Sequence, residues 1–225
     1  REELMNIEVT SVSKKAESKN DTAAAITVIT AEDIRRGGFT SVPEALRMVP
    51  GVHVARIDAN RWAITVRGFQ NEFANKLLVM MDGRSLYTPV FGGVFWDIQN
   101  LTMSDVERIE VIRGPGGAIW GANAVNGVIN IITKKAADTQ GAHARVRGGT
   151  QGGGAEVRYG GEAGSDTHYR VSAKGEYIAD YDFEKNYAGK DAWRNVRAGV
   201  RTDTQLDENA QLTFHGNYYD VDFSQ

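Results

Sequence analysis

Cysteine is absent from the 225-residue chain, which excludes disulfide staples, thiolate metal sites and cysteine nucleophiles. A basic surplus is missing too. The 26 lysines and arginines face 29 acids, for a net charge of −3, so duplex nucleic acid finds no electrostatic footprint here. No run approaches the ~18 apolar residues of a membrane-spanning helix. Residues Arg1 to Lys15 hold no apolar signal-peptide core, so any exported form would be a mature or trimmed chain. Proline is scarce at 4 residues, whereas glycine is abundant at 25 of 225, above the usual ~7%. Many tight turns or close backbone approaches are therefore required. At ~150 residues per domain the length allows one large domain or two small ones. A membrane β-barrel passes every one of these exclusions, because its strands are short and alternate.

Up to about Lys135 the chain mixes helix signals with short apolar strands. Thr30-Ala31-Glu32-Asp33 reads as an N-cap with an acid at the third helical position, ended by Gly37-Gly38. Ser41-Val42-Pro43-Glu44 reads as a capping box, and its helix stops at Pro50-Gly51. Strands are expected at Ala25–Ile29, Val52–Ile57, Ala63–Val66, Leu77–Met81, Val106–Ile112 and Val128–Ile132, with a tight turn at Asp82-Gly83. Apolar runs without alternation indicate strands buried on both faces, as in a small α+β domain.

From His143 the pattern changes to period two. Ala144 and Val146 alternate with His143, Arg145 and Arg147; Val196, Ala198 and Val200 alternate with Asn195, Arg197, Gly199 and Arg201. Five consecutive segments of this kind predict an antiparallel meander. The polar faces carry large charged residues, and the apolar faces are small or aromatic. That is the composition of an outer-membrane barrel with lipid outside and a wet, charged interior. Short joins at Gly164–Asp166 and Asp207–Asn209 and longer ones at Gly149–Gly154 and Asp180–Asp191 are expected to alternate. Five strands cannot close a barrel, and an open edge cannot sit in hydrocarbon. On this reading the barrel is truncated, with further strands beyond Gln225. A soluble β-domain remains the alternative.

Three stretches carry a family resemblance: Ala25–Val54 (AITVITAEDIRRGGFTSVPEALRMVPGVHV), Ile64–Leu86 (ITVRGFQNEFANKLLVMMDGRSL) and Val106–Lys135 (VERIEVIRGPGGAIWGANAVNGVINIITKK). Together they resemble the plug of a TonB-dependent outer-membrane receptor, with Trp120 and Asn126 where tyrosine and glycine are commoner. The resemblance implies residues 1–22 as TonB-box and linker region, 23–138 as an α+β plug, and 139–225 as about five antiparallel transmembrane strands. It implies location in the outer membrane of a Gram-negative bacterium. Such receptors capture a scarce ligand, an iron chelate, cobalamin, haem or an oligosaccharide. The TonB protein then pulls on the N-terminal segment and the plug rearranges. No bond is made or broken, so the chain is not expected to be an enzyme, and no cofactor is expected.

Site residues follow from strand parity and from this resemblance. Ile7-Glu8-Val9-Thr10-Ser11-Val12 is β-prone and proline-free, suited to adding a strand to a partner's sheet edge. By position it resembles a TonB box; the alternative is a frayed N-terminal plug strand. Arg67 and Arg113 open two Arg-Gly turns and, by the resemblance, pair with glutamates of the barrel wall. Arg35, Arg36, Arg84 and Arg108 are expected to be solvated. If Val52–Ile57 runs outward, the bend at Asp58, Asn60, Arg61 and Trp62 faces the ligand. A second outer loop, Ser85–Trp96, would add Tyr87, Phe91, Phe95 and Trp96; the alternative is that these aromatics pack against the barrel wall.

Other motifs fail. The stretches Gly114–Gly121 and Gly148–Gly154 lack the Gly-Lys-Ser/Thr ending of a phosphate loop. The four histidines are scattered, and none has a second ligand at metal spacing. Asp180–Glu184 echoes a calcium loop but has Lys185 where glycine is needed.

Overall fold

A computed structural model describes residues 8–9, 17–18, 25–66, 68, 76–88, 90, 92–114, 120–121, 123–180, 182–184, 187–188 and 191–223. Two compact units emerge: one from Arg1–Arg56 with Arg61–Thr133, the other from Ile57–Asn60 with Lys134–Gln225.

In the first unit, β1 (Glu8–Val9) and β2 (Glu17–Ser18) form an antiparallel ribbon of their own. β3 (Ile26–Thr30) runs directly into α1 (Ala31–Gly37). The junction is a reciprocal cap: the Asp33 N–H donates to Thr30 Oγ1 at 3.1 Å, and the Thr30 N–H to Asp33 Oδ2 at 2.9 Å. Gly38, at φ 65°, then reverses the chain in the left-handed region that a side chain disfavours. The second expected box does not form. α2 (Val42–Leu46) starts after Ser41, whose hydroxyl makes no cap bond. Glu44 reaches back one residue further and accepts from the Thr40 N–H and hydroxyl. Pro43 in the first turn brings no N–H of its own to be capped.

β4 (Val52–Arg56) and β5 (Trp62–Val66) pair antiparallel as a separate two-stranded sheet. β6 (Leu77–Met81), β7 (Arg84–Ser85), β8 (Val106–Arg113) and β9 (Gly127–Thr133) join β3 in a sheet of order β3-β8-β9-β6-β7. Only β6 and β9 run parallel. All of β6 is buried, as its unbroken apolar run predicts. One face of this sheet packs Ile29, Val79, Ile109, Val111, Ile129 and Ile131 against Ile34 and Leu46 of the helices. The other packs Ile26, Leu78, Met80, Ile112 and Val128. Asp82, at φ 47°, turns β6 into β7, and its carboxylate accepts from the Thr133 N–H (2.8 Å) and hydroxyl (2.7 Å) at the end of β9.

The second unit is a meander: β10 (Gly141–Gly149), β11 (Gly152–Glu162), β12 (Thr167–Ile178), β15 (Trp193–Gln205) and β16 (Gln211–Phe223) pair antiparallel in that order. A small ribbon of β13 (Asp182–Glu184) and β14 (Tyr187–Ala188) rises from the β12–β15 connection. The expected long join at Gly149–Gly154 is a two-residue turn, because Gly149 and Gly152 already pair across it. Glycines keep the ladder running where a loop was expected. β10 and β16 are the edges of the described sheet.

The register fixes two opposed faces. Ala144, Val157, Ala173, Ala198 and Tyr218 form one cross-strand row; Arg145, Glu156, Lys174, Arg197 and Tyr219 form another on the opposite side. The apolar face is the exposed one, with Val146 at 82% and Tyr218 at 65%. The charged face is buried over much of its length, down to 4% at Asp203 and 1% at Asn195. Water-soluble sheets have the reverse arrangement.

Gly127, the first residue of β9, lies close against the backbone of β8. A Cβ there would sit 2.5 Å from the Ile112 carbonyl oxygen, a backbone atom that cannot swing away. Gly127→Ala should lower the stability of this unit by ~1–3 kcal/mol, the usual range for overpacking. Tryptophan-monitored urea unfolding of the full-length protein checks this; an unchanged midpoint would show that the strands separate freely.

Candidate functional site

The residues singled out from the sequence fall into three places. The first is the N-terminal segment. Glu8 and Val9 form β1 against β2, Glu8 facing Ser18 and Val9 facing Glu17, outside the five-stranded plug sheet. Ile7, Thr10, Ser11 and Val12 lie outside the described residues.

The second is the bend after β4. Asp58 and Asn60 are buried, Arg61 is exposed and Trp62 is half-buried. The bend closes on itself, the Asn60 N–H donating to Asp58 Oδ1 at 3.1 Å. Its Ala59 N–H donates to Asp191 Oδ2 at 2.7 Å. Beside it the Trp62 indole has the Arg47 and Arg56 guanidinium carbons 5.6 and 5.4 Å from its centroid, cation–π range for both. The sequence marked Asp180 and Asp191 only as the ends of a long join, and Asp180 as the start of an incomplete calcium-loop echo. Their signal was an aspartate at each end of one long loop, a usual place for a side chain to cap main-chain N–H groups.

The loop Ser85–Trp96 belongs to the first unit. It leaves the sheet at the Asp82–Thr133 end, where the chain departs for β10. Trp96, 8% exposed, belongs to the hydrophobic cluster of the first unit, against which Trp62 also packs. Tyr87 and Phe95 are half-buried, and Phe91 lies outside the described residues.

Arg113 Nη1 donates to the Pro50 carbonyl at 2.9 Å, tying the end of β8 to the turn before β4. Arg67 lies outside the described residues. Arg108, expected to be solvated, is largely buried between Glu107 (2.5 Å) and the fully buried Glu110 (2.8 Å). Arg35 and Arg36 are exposed and meet only Glu32 among the ion pairs described.

The third place is the charged face of the meander. Arg147 reaches across Gly154 to the Glu176 carboxylate, which also takes Lys174 Nζ at 3.2 Å. A side chain at 154 would block that path, its Cβ 3.1 Å from Arg147 Nε. Arg197 donates to Asn217 at 2.9 Å, and Arg201 to Asp203 at 2.9 Å. Asp203 also accepts the Ala136 N–H at 2.7 Å, while Arg170 donates to the Lys134 carbonyl at 3.0 Å. These two buried charges fix the start of the unit. Pairing is what makes burial tolerable, since an orphaned buried charge costs several kcal/mol.

Comparison with known proteins agrees with this architecture. A family model, the TonB-dependent Receptor Plug Domain, matches residues 18–128. The vitamin B12 transporter BtuB of Vibrio vulnificus is 32% identical over 120 residues, covering 52% of this chain and 19% of its own. The outer membrane receptor FpvA of Pseudomonas aeruginosa, solved bound to pyoverdine, superposes with a TM-score of 0.77 at 19% identity. It covers 95% of this chain and 30% of the receptor. The ferric-catecholate import receptor Fiu of E. coli K12 gives 0.70 at 25% identity, over 91% of this chain and 28% of its own. This chain therefore spans less than a third of each relative. Residues 18–128 therefore belong to the TonB-dependent receptor plug domains, and with a plug ahead of a sheet that exposes its apolar face the chain has the fold of the TonB-dependent outer-membrane receptors, a plug followed by antiparallel barrel strands.

Proposed function

We propose that this chain serves a transporter that binds a scarce extracellular ligand and admits it to the periplasm when TonB, pulling on the N-terminal segment, rearranges the plug. The observation that carries the reading is the second unit's inverted polarity: paired charges on its buried face, an apolar face exposed for lipid, downstream of a plug. The relatives support it. BtuB is named for vitamin B12, Fiu for ferric catecholates, and FpvA was solved with pyoverdine. The ligand class here is one of those or a haem or oligosaccharide. No reaction is assigned, and the role is transport rather than catalysis.

The ligand meets the bend at Asp58, Asn60, Arg61 and Trp62, of which Arg61 is exposed and Trp62 half-buried. Tyr87, Phe91, Phe95 and Trp96 are secondary candidates. The box Ile7–Val12 binds TonB by strand addition, and the separate β1–β2 ribbon supports a segment that pairs outside the plug sheet. Arg67 and Arg113 brace the plug against barrel glutamates.

Titrating the full-length receptor with ferric pyoverdine, a ferric catecholate and vitamin B12 while following Trp62 tests the ligand site. One of these should quench the indole in a Trp96→Phe background. If none does, and haem and oligosaccharides do not either, the bend is not the site. Replacing Val9 or Val12 by proline should abolish uptake while leaving ligand affinity within a factor of about two, because proline removes a ladder donor. Normal uptake in both variants would remove the TonB-box assignment.

A further inference from the structure

The bend Ile57–Asn60 is set off from its neighbours in sequence. Residues on either side of it belong to the first unit, while the bend itself belongs to the second. The hydrogen bond from the Ala59 N–H to Asp191 Oδ2, at 2.7 Å, ties it there. Ala59 is fully buried, and Asp58 and Asn60 are nearly so. A buried N–H whose acceptor is removed is left unsatisfied, so this contact is costly to break.

Asp191 is itself held. Its own N–H and that of Ala192 both donate to Asp180 Oδ1, at 2.9 and 2.7 Å. Asp180 follows β12 and Asp191 precedes β15, so a single carboxylate pins the two ends of the β12–β15 connection together. The strand then begins with Trp193, which is buried, leaving the backbone at 191–193 little freedom. Asp180 fixes Asp191, Asp191 fixes Ala59, and Ala59 sits between the two polar residues of the bend.

We infer that Asp191 is a positioning residue for the ligand site: its carboxylate holds the bend Ile57–Asn60 through the Ala59 N–H. The inference rests on the proposal above that the bend meets the ligand. It makes the base of the loop Asp180–Asp191 part of the binding machinery without any contact between Asp191 and the ligand. The Ala59–Asp191 contact is a charged hydrogen bond, the stronger kind.

The test uses the full-length receptor in outer membranes and two readouts. Amide hydrogen exchange at residues 57–60 needs no ligand. Asp191→Ala should raise exchange there by about tenfold, the equivalent of one charged hydrogen bond, whereas Asp191→Asn keeps an acceptor oxygen and most of the protection. Unchanged exchange in Asp191→Ala would overturn the inference. Affinity for ferric pyoverdine, a ferric catecholate and vitamin B12 is the second readout. For whichever binds the parent protein, Asp191→Ala should weaken binding by about tenfold and Asp191→Asn far less. An Ala59→Cys/Asp191→Cys pair, oxidised, should restore affinity although the carboxylate is gone, and reduction should abolish the gain. If the oxidised pair binds as poorly as Asp191→Ala, Asp191 touches the ligand itself and the positioning role is wrong. If exchange responds as expected but no affinity changes, the attachment of Ala59 stands and the placement of ligand at the bend falls.

Discussion

A backbone that crosses hydrocarbon has to satisfy every N–H and C=O within protein, and a sheet does so only through its neighbours. The second unit is organised by that constraint. Its longest four strands run 11 to 13 residues, enough to span an apolar layer at a tilt. They pair without a register shift from β10 to β16. Once the ladder is continuous, side-chain parity does the rest. Residues such as Val157, Val171 and Val200 line one face, and Arg170, Lys174 and Arg201 line the other. Glycine contributes by omission: Gly154 leaves the path along which Arg147 reaches Glu176 two strands away.

The plug obeys a different rule. Its five-stranded sheet is covered on both faces, so alternation disappears and continuous apolar runs take its place. Helix α1 is specified locally by its reciprocal cap, and α2 by packing, since Val42, Pro43, Ala45 and Leu46 are all buried. Two aspartates then fix the exit from the plug. Asp82 holds Thr133, the last residue of β9, and Asp203 holds Ala136 three residues later. Each unit grips its own side of the junction.

Much of this was legible in the sequence. The five alternating segments became five paired strands, and the plug strands fell within a residue or two of their expected limits, because periodicity reports burial directly. Features decided by tertiary neighbours were not legible. Glu44 had a second donor set in Thr40, so the Ser41 box failed. The parallel pairing of β6 with β9 and the burial of Trp96 in the first unit's core are of this kind. Arg108 found Glu110 two residues away on the same strand face. Asp180 and Asp191 bind main-chain N–H groups of distant residues, a pattern that no short motif records.

The most direct measurement is a nitroxide scan along β15, from Arg194 to Arg201, in the full-length protein in outer membranes. The account predicts that collision with oxygen, which concentrates in lipid, is high at 196, 198 and 200 and low at 195, 197 and 199, a strict period of two. Equal accessibility along the strand, or oxygen reaching the charged positions instead, would contradict it.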